Sequence, residues 1–394
     1  MRTDRTAQGT WSRVAVVHDW LYTIGGAERV LAGLLRCLPG ADVYALFDVL
    51  SPEDRHRIGY EQSHTSFLQR MPGIKGHHRA YLPLMPIAIE QLDLSGYDLV
   101  VSSSFAVAKG VLTGPDQLHI SYVHSPMRYA WDLQHQYLRE SGLQRGVKSV
   151  LARAVLHGTR IWDVRTAHGV DAYVTNSHFV ARRIRKIYGH DAEVIYPPVA
   201  VPSSLRRVTK DRFFIAASRL VPYKNMHLIV EAFRLLPQEQ LLVVGAGPEL
   251  HRLQALSGPN VTLLGHVPDA ELHRLLAVSR ALIFAAEEDF GIVMAEAHGQ
   301  GTPVIALGRG GAREIVMIDG PAPTGLFFEE ASPRAIAAAV HRFVVEEHRF
   351  LPQNCHRNAL RFGTERFDAT FAAYVRTCCA TFEVGYPMLD DAAD

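Results

Sequence analysis

Short runs of apolar residues alternate with longer stretches of helical periodicity along almost the whole chain. Runs of four or five Val, Ile and Leu without polar alternation predict strands buried on both faces, as in parallel sheets covered by helices. The predicted strands are residues 14–17, 43–47, 99–102, 119–123, 172–175, 193–195, 213–217, 240–244, 261–264, 281–284 and 303–306. The predicted helices include residues 27–37, 180–188, 225–235, 270–278, 333–347 and 365–382. This alternation indicates a doubly wound α/β fold.

The length of the chain and a proline-rich stretch predict two such domains. A chain of 394 residues is too long for one ordinary core. Three prolines between residues 196 and 202 end one strand and prevent the next segment from forming a helix. We therefore expect a first domain over residues 1–200, a second over residues 201–364, and a terminal helix with a loose acidic tail over residues 365–394.

Composition narrows the class of protein. Lys and Arg number 41 against 40 Asp and Glu, a net charge of +1 that argues against a nucleic-acid partner. The four cysteines show no metal-ligand spacing and suit a reduced cytosol. Residues 1–13 lack the apolar core of a signal peptide, and no apolar stretch is long enough to span a bilayer. We expect a cytoplasmic protein, either soluble or peripheral at the inner face of the membrane.

The turn after the tenth predicted strand combines carboxylates with a glycine. Glu288 lies in the turn, Gly291 opens the next helix, and Glu296 lies about two turns along it. The free amides of Gly291, Ile292 and Val293 are expected to hold a diphosphate, because helix N-termini attract anions. Polyhydroxylated groups on either side of the diphosphate would account for both carboxylates. An acidic first turn that stabilises a helix dipole explains Glu288 but not Glu296.

Two cations and two glycines occupy other strand-to-helix turns. Arg219 and Lys224 follow the seventh predicted strand, where each charge could contribute about 4 kcal/mol at about 4 Å before desolvation. On an isolated loop they would be solvated surface residues. Gly25 and Gly26 open the first helix and allow a backbone to approach an anion closely. A tight turn alone is the structural alternative for this glycine pair.

Five motifs in this order resemble glycosyltransferase family 4. They are Gly25-Gly26, Ser218-Arg219-Leu220 with Lys224, Val244-Gly245-Ala246-Gly247-Pro248, the Glu-x7-Glu spacing of Glu288 and Glu296, and Gly310-Gly311-Ala312-Arg313-Glu314. Residues 123–132 further resemble a mannosyltransferase-like branch that builds bacterial polysaccharides. The resemblance covers residues 14–382. It implies the GT-B fold: two Rossmann-like domains facing a central cleft, with a C-terminal helix crossing back to the first domain.

The resemblance also implies roles in a retaining transferase. Arg219 and Lys224 would stabilise the donor diphosphate, Glu288 would bind hydroxyls of the transferred sugar, and His124 would contact that sugar. The other implied donor contacts are Gly25, Gly26, Gly291, Ile292 and Val293 at the diphosphate, Glu296 at the ribose, and Val267 and Asp269 near the base. Asp269 is equally placed to cap the helix predicted from residue 270. Asp19 is placed to contact the acceptor hydroxyl.

The expected function is transfer of a hexose, with mannose from GDP-mannose as the best candidate. The acceptor would be a glycan or a polyprenyl-diphosphate-linked sugar in cell-surface polysaccharide synthesis. No Asp-x-Asp or zinc spacing occurs, so we expect metal-independent, front-face chemistry without a cofactor. The alternatives are a nucleotide-sugar epimerase, a soluble sugar-phosphate synthase, and a non-catalytic nucleotide-sugar-binding partner of another transferase.

Residues 67–86 interleave cations with apolar and aromatic side chains. This composition suits an anionic membrane surface, and Arg70, Lys75 and Arg79 would be its cationic contacts. A long loop packed on the first domain explains the same composition equally well. The sequence therefore predicts either a membrane contact or a packed loop here.

Overall fold

The computed structural model describes residues 13–205 and 208–385, except the side chains of residues 79, 140 and 383–385. The chain divides into two compact units, Met1–Pro197 with Phe367–Asp394, and Pro198–Arg366. The boundary between the two units at Pro197 and Pro198 lies inside the proline-rich stretch. The predicted acidic tail beyond residue 385 lies outside the described residues. Within the described part of the chain, no helix is both long and apolar enough to cross a membrane.

The first unit contains a parallel sheet with helices on both faces. Its strands are β1 (Val14–His18), β2 (Asp42–Ala45), β3 (Ser63–Thr65), β4 (Leu99–Ser104), β5 (Leu118–Val123), β6 (Ala172–Thr175) and β7 (Glu193–Val194). Its helices are α1 (Gly26–Cys37), α2 (Pro52–Ile58), α3 (Ile74–His77), α4 (Met85–Glu90), α5 (Gln134–Glu140), α6 (Val147–Ala167) and α7 (His178–Tyr188). The strand order is β3-β2-β1-β4-β5-β6-β7, which is doubly wound.

Successive residues of β1 enter different cores, as expected for a sheet covered on both faces. Val16 packs in one cluster with Leu34 of α1, whereas Val17 packs in another with Ile89 of α4. Phe367 and Phe371 of the C-terminal helix belong to the Val16 cluster. The predicted return of this helix to the first domain is therefore confirmed.

The second unit contains another parallel sheet. Its strands are β8 (Phe213–Ala217), β9 (Gln240–Val244), β10 (Val261–Gly265), β11 (Leu282–Phe284), β12 (Val304–Leu307) and β13 (Gly325–Phe328). Its helices are α8 (Met226–Arg234), α9 (Leu250–Leu256), α10 (Asp269–Val278), α11 (Ile292–Gly299), α12 (Ala312–Ile315), α13 (Pro333–Glu346) and α14 (Pro352–Ala359). Helix α15 (Thr364–Gly385) then leads back to the first unit. The strand order is β10-β9-β8-β11-β12-β13.

Every strand predicted from the sequence has a counterpart in the structure, whereas β3, β13 and several helices, α6 among them, were not among the predicted elements. Strand β3 consists of Ser63, His64 and Thr65 at the edge of its sheet, so it has no apolar run. Helix α6 buries polar residues, including Ser149 and Thr159, and so lacks the expected apolar periodicity on its inner side.

Candidate functional site

A polar junction of the second unit lies where its strand order reverses. Strands β8 and β11 are neighbours there. From β8 the sheet continues outward through β9 to β10, and from β11 it continues outward on the other side through β12 to β13. Open parallel sheets bind ligands beyond the carboxyl ends of strands at such a switch point. Lys224 follows β8 and Glu288 follows β11, and their side chains form an ion pair. The structure thus brings together two residues that the sequence predicts for one site.

A strained residue fixes the position of Lys224. A 3₁₀ turn, Pro222–Lys224, ends at Asn225, which has a φ of 55°. Such left-handed backbone is uncommon for a residue other than glycine and is typical of functional sites. The Asn225 side-chain amide donates a hydrogen bond of 3.1 Å to the carbonyl of Ala285, which ties this turn to the turn after β11. Sequence reasoning missed Asn225, although asparagine is the residue type that best tolerates this conformation.

The turn that carries Arg219 packs directly on the glycine turn after β9. A Cβ atom on Gly247 would lie 2.4 Å from the carbonyl oxygen of Leu220, and the φ of Gly247 is 157°. The amide of Leu220 donates to the carbonyl of Ala246 at 2.9 Å. Arg219 is exposed and donates a 2.7 Å hydrogen bond to the hydroxyl of Tyr223. The Gly-x-Gly turn therefore supports the cation-bearing turn.

Two further glycines hold the backbone of Glu288. The amide of Gly311 donates to the carbonyl of Glu288 at 2.8 Å. A Cβ atom on Gly310, whose φ is 60°, would lie 2.3 Å from that same carbonyl oxygen. Larger residues cannot occupy these positions without moving the turn. This close approach explains why the Gly310-Gly311 motif accompanies Glu288.

Helix α11 begins with glycine, as predicted. Gly291 is its N-cap with a φ of 91°, and Ile292 and Val293 are half-buried in the first turn. The first amides of a helix have no partner within the helix, so this end favours an anion. Glu296 lies on the same helix with only 4% of its surface exposed. Its Oε1 is 3.6 Å from Nε2 of His273 on α10, a neighbour that the sequence did not indicate.

The predicted base-contact residues lie at the start of α10. Val267 is half-buried and Asp269 is exposed. The helix begins at Asp269 with Pro268 as its N-cap. The alternative in which Asp269 caps a helix starting at residue 270 is therefore wrong, because Asp269 is itself the first helical residue.

In the first unit, Gly25 and Gly26 form the start of α1. The Gly25 amide donates a 2.8 Å hydrogen bond to Oε2 of Glu28. This contact is one half of a capping box, so the Gly25 amide already has an acceptor. Gly26 is exposed at the same helix end. The glycine pair is consequently a capped turn, in which Gly25 is engaged by Glu28 and Gly26 is exposed.

His124 belongs to a largely buried chain of polar groups that includes two residues missed by sequence reasoning. Its Nε2 lies 2.9 Å from the hydroxyl oxygen of Ser103, which in turn lies 3.0 Å from Nδ1 of His18. The Nε2 of His18 is 3.6 Å from Oε1 of Glu28. Burial, and secondarily the nearby His18, lowers the pKa of His124 to about 3. His124 is therefore a neutral, oriented imidazole at physiological pH.

The geometry of Asp19 corrects its predicted role as an acceptor contact. Asp19 is completely buried. One carboxylate oxygen accepts the amides of Phe105 and Ala106, and the other accepts those of Val107 and Ala108, at 2.5–2.9 Å. Both oxygens are thus committed to the turn after β4. Asp19 is an anchor for this turn and has no oxygen left for a substrate hydroxyl.

The described residues show no group of three or more His, Cys, Asp and Glu side chains that could hold a metal ion. His124, Gly25, Gly26 and Asp19 lie in the first unit, whereas the other predicted site residues lie in the second. The second unit therefore contains a cation–carboxylate site beside a glycine-led helix. The first unit contains a neutral histidine and a glycine turn.

Two Rossmann-like units with these motifs define the GT-B class of glycosyltransferases. The family described as Glycosyltransferase Family 4 matches residues 24–201, and the one described as Glycosyl transferases group 1 matches residues 201–362. The chain belongs to glycosyltransferase family 4. The structure of Anabaena HepE in complex with UDP is similar in fold, with a TM-score of 0.68 at 18% identity over 93% of this chain and 100% of that one.

Two curated relatives are similar in sequence. A D-inositol 3-phosphate glycosyltransferase of Xylanimonas cellulosilytica is 28% identical over 49% of this chain and 53% of its own length. A GDP-mannose-dependent alpha-(1-6)-phosphatidylinositol monomannoside mannosyltransferase of Mycobacterium tuberculosis is 29% identical over 50% of this chain and 57% of its own. The chain thus spans about half the length of the curated relatives it matches.

Proposed function

We propose that this protein is a retaining hexosyltransferase that uses a nucleotide-diphosphate sugar as donor. The observation that carries the proposal is the placement of Lys224 and Glu288 at the switch point between β8 and β11, next to the start of α11. A cation suits the diphosphate, a carboxylate suits sugar hydroxyls, and free helix amides suit phosphate oxygens. Arg219 supplies a second cation on the same turn as Lys224.

The proposed chemistry is a front-face displacement without a metal ion. The bond from the anomeric carbon to the diphosphate oxygen breaks, and the acceptor oxygen bonds to that carbon on the same face. The acceptor proton passes to the departing diphosphate oxygen, so no protein nucleophile is required. Arg219 and Lys224 stabilise the charge that develops on the diphosphate. The neutral imidazole of His124 suits a hydrogen bond to the transferred sugar rather than a charge contact.

Mannose from GDP-mannose is the proposed donor specificity. The support is the mannosyltransferase-like segment at residues 123–132 and the GDP-mannose dependence named for the Mycobacterium tuberculosis relative. The proposed acceptor is a glycan or a polyprenyl-diphosphate-linked sugar at the cytoplasmic face of the membrane, in the synthesis of a cell-surface polysaccharide.

The test begins with a thermal-shift panel of GDP, UDP and ADP sugars. The purified protein is then incubated with the preferred donor, alone and with a polyprenyl-diphosphate-linked sugar or a lipid-free oligosaccharide. Proton NMR should show the new linkage with the anomeric configuration of the donor. A donor sugar that changes without any acceptor would identify an epimerase. Donor binding without a product in any mixture would identify a non-catalytic binding partner, and an inverted product would overturn the proposed mechanism.

A further inference from the structure

Helix α6 buries several polar residues and exposes several apolar ones. Ser149, Thr159 and Asp163 are 0–6% exposed, whereas Val147 and Val150 are 86% and 68% exposed. A surface helix of a soluble protein normally shows the opposite arrangement. The outward face of α6 is therefore an exposed apolar surface that needs an explanation.

The inward polar face has a specific partner. The Nζ of Lys109 lies 2.9 Å from Oδ1 of Asp163 and donates a 2.9 Å hydrogen bond to the hydroxyl of Thr166. The indole nitrogen of Trp131 and the hydroxyl of Tyr188 also donate to the Asp163 carboxylate. These buried contacts fix the rotation of the helix about its axis. The apolar side chains consequently cannot turn inward.

The outward face, which we call the α6 seam, follows one stripe of the helix. It consists of Val147, Val150, Leu151, Ala154, Gly158 and Ile161, and every member is exposed. The spacing from Val147 through Leu151 to Ile161 alternates between four and three residues, so these positions share a face. At about 1.5 Å per residue the stripe is about 21 Å long. It is long enough to lie along a membrane surface.

Cations flank the α6 seam on both sides. At about 100° per residue, exposed Lys148 and Arg153 lie roughly 100° and 120° from Val147, on opposite sides of the stripe. Arg145 precedes the helix and is also exposed, and residues 141–162 contain no Asp or Glu. An apolar stripe bordered by Lys and Arg is typical of helices that lie in the interface of an anionic bilayer. A symmetric pairing of two α6 seams would instead place these cations close to one another.

Helix α4, which contacts α6, also exposes an apolar side chain. The carboxylate of Glu90 accepts hydrogen bonds from Trp162 and Arg165 of α6 at 2.8 and 2.7 Å. Ile87, one turn before Glu90, is 54% exposed, and Ile161, one residue before Trp162, is 59% exposed. The two helices therefore present apolar side chains near their contact.

The segment predicted from sequence to meet a membrane, residues 67–86, runs into the first residues of α4. Its Leu68, Ile74 and Met85 are buried in the first unit, whereas Arg70 and Lys75 are exposed. The segment is thus packed through several of its apolar residues and carries its described cations outward, whereas Phe67 and Leu84 are 44% and 36% exposed. The side chain of Arg79 lies outside the described residues. The segment offers cations but a smaller exposed apolar stripe than α6.

We propose that the α6 seam docks the first unit onto an anionic lipid bilayer, with its apolar side chains at the acyl boundary and Arg145, Lys148 and Arg153 at the headgroups. Docking of this kind would place the first unit at the surface where a lipid-linked acceptor resides. The inference concerns only the first unit and does not depend on which nucleotide sugar is the donor.

The test is co-sedimentation of the full-length chain with phosphatidylcholine vesicles, with and without phosphatidylglycerol. We expect binding only to the anionic vesicles. The double variant Val150→Ser with Leu151→Ser should weaken binding by about tenfold or more, because several apolar carbon atoms leave the acyl boundary. The matched control, Val345→Ser with Leu351→Ser, changes exposed apolar residues of the second unit and should bind as wild type does.

Charge variants separate the α6 seam from the neighbouring segment. Arg145→Gln with Lys148→Gln should weaken vesicle binding roughly five-fold per cation at low salt. A larger effect of Arg70→Gln with Lys75→Gln would assign the membrane contact to the earlier segment and overturn the proposal. Unchanged binding of the Val150/Leu151 variant would also overturn it.

Two lipid-free measurements identify other occupants of the α6 seam. A dimeric wild type and a monomeric Val150/Leu151 variant in sedimentation velocity would show that a second copy covers the seam. A lower thermal midpoint of the variant would show that another part of the chain covers it. We expect neither change. A GDP thermal shift of each variant, equal to that of the wild type, keeps loss of docking distinct from loss of donor binding.

Discussion

The variant Asp19→Asn tests the anchoring role of the buried carboxylate. In the wild type, one oxygen accepts amides of Val107 and Ala108 and the other accepts those of Phe105 and Ala106. Asparagine supplies one oxygen and one NH₂ group, so two buried amides would face a donor instead of an acceptor. Each unsatisfied buried donor costs about 1–3 kcal/mol. We therefore expect the free energy of unfolding of the first unit to fall by about 2–6 kcal/mol.

Tryptophan fluorescence during urea denaturation measures this loss in the first unit alone. All four tryptophans of the chain precede Pro197, so their fluorescence reports the first unit. The matched control is Asp191→Asn, which changes a carboxylate that is 84% exposed and should leave the midpoint unchanged. A native midpoint for Asp19→Asn together with a higher KM for the acceptor would refute the anchoring role. That result would restore Asp19 as an acceptor contact.

Four further substitutions and one pH series extend the account. Lys224→Ala and Glu288→Ala should each lower turnover by about two orders of magnitude or more without lowering the thermal midpoint, measured as initial rates at saturating donor. Glu296→Ala should weaken nucleotide binding in titration calorimetry more than it slows transfer. Gly247→Ala should abolish nucleotide binding, because its Cβ would lie 2.4 Å from a backbone oxygen. Burial lowers the pKa of His119 to about 4, so between pH 6.5 and 4 the unfolded chain binds a proton that the folded unit does not. First-unit stability should therefore fall on acidification by about 1.4 kcal/mol per pH unit from this group, measured by tryptophan fluorescence.

Each of these expectations has a contradicting result. Normal turnover of Lys224→Ala would remove the proposed charge stabilisation, and unchanged nucleotide affinity of Glu296→Ala would remove the ribose contact. A Gly247→Ala variant that binds nucleotide normally would show that the turn tolerates a side chain. For the pH series, His119→Gln is the control. An equal slope in wild type and variant would show that His119 does not carry the effect.

The sheets of both units could be predicted from the sequence because buried parallel strands are continuous apolar runs. The strand at residues 213–217, for example, has the same bounds in the structure. The glycine-led start of α11 could also be predicted, because Gly291 directly precedes a helical pattern and is the N-cap of the helix. These features depend on local sequence alone.

The missed features depend on contacts between distant parts of the chain. His18 and Ser103 are joined only because β1 and β4 are neighbours in the sheet, so no spacing in the sequence indicates their hydrogen bond. The burial of Asp19 likewise depends on the turn after β4. Helix α6 was missed because its apolar residues do not share one face: Leu156 is buried whereas Val150 is exposed, and the buried face also holds Asp163, the partner of Lys109. The periodicity of apolar residues in a sequence indicates an apolar buried face, but it cannot indicate a buried ion pair.

The central claim is that Arg219 and Lys224 hold the diphosphate of the donor at the switch point of the second sheet. Titration calorimetry of GDP with the wild type, Arg219→Ala and Lys224→Ala tests this claim most directly. The control is Arg252→Ala, which changes an exposed arginine of the same unit that pairs with Glu249. The account predicts that GDP binds the first two variants about 10-fold to 100-fold more weakly than it binds the wild type and the control. Equal GDP affinity in all four proteins would contradict it.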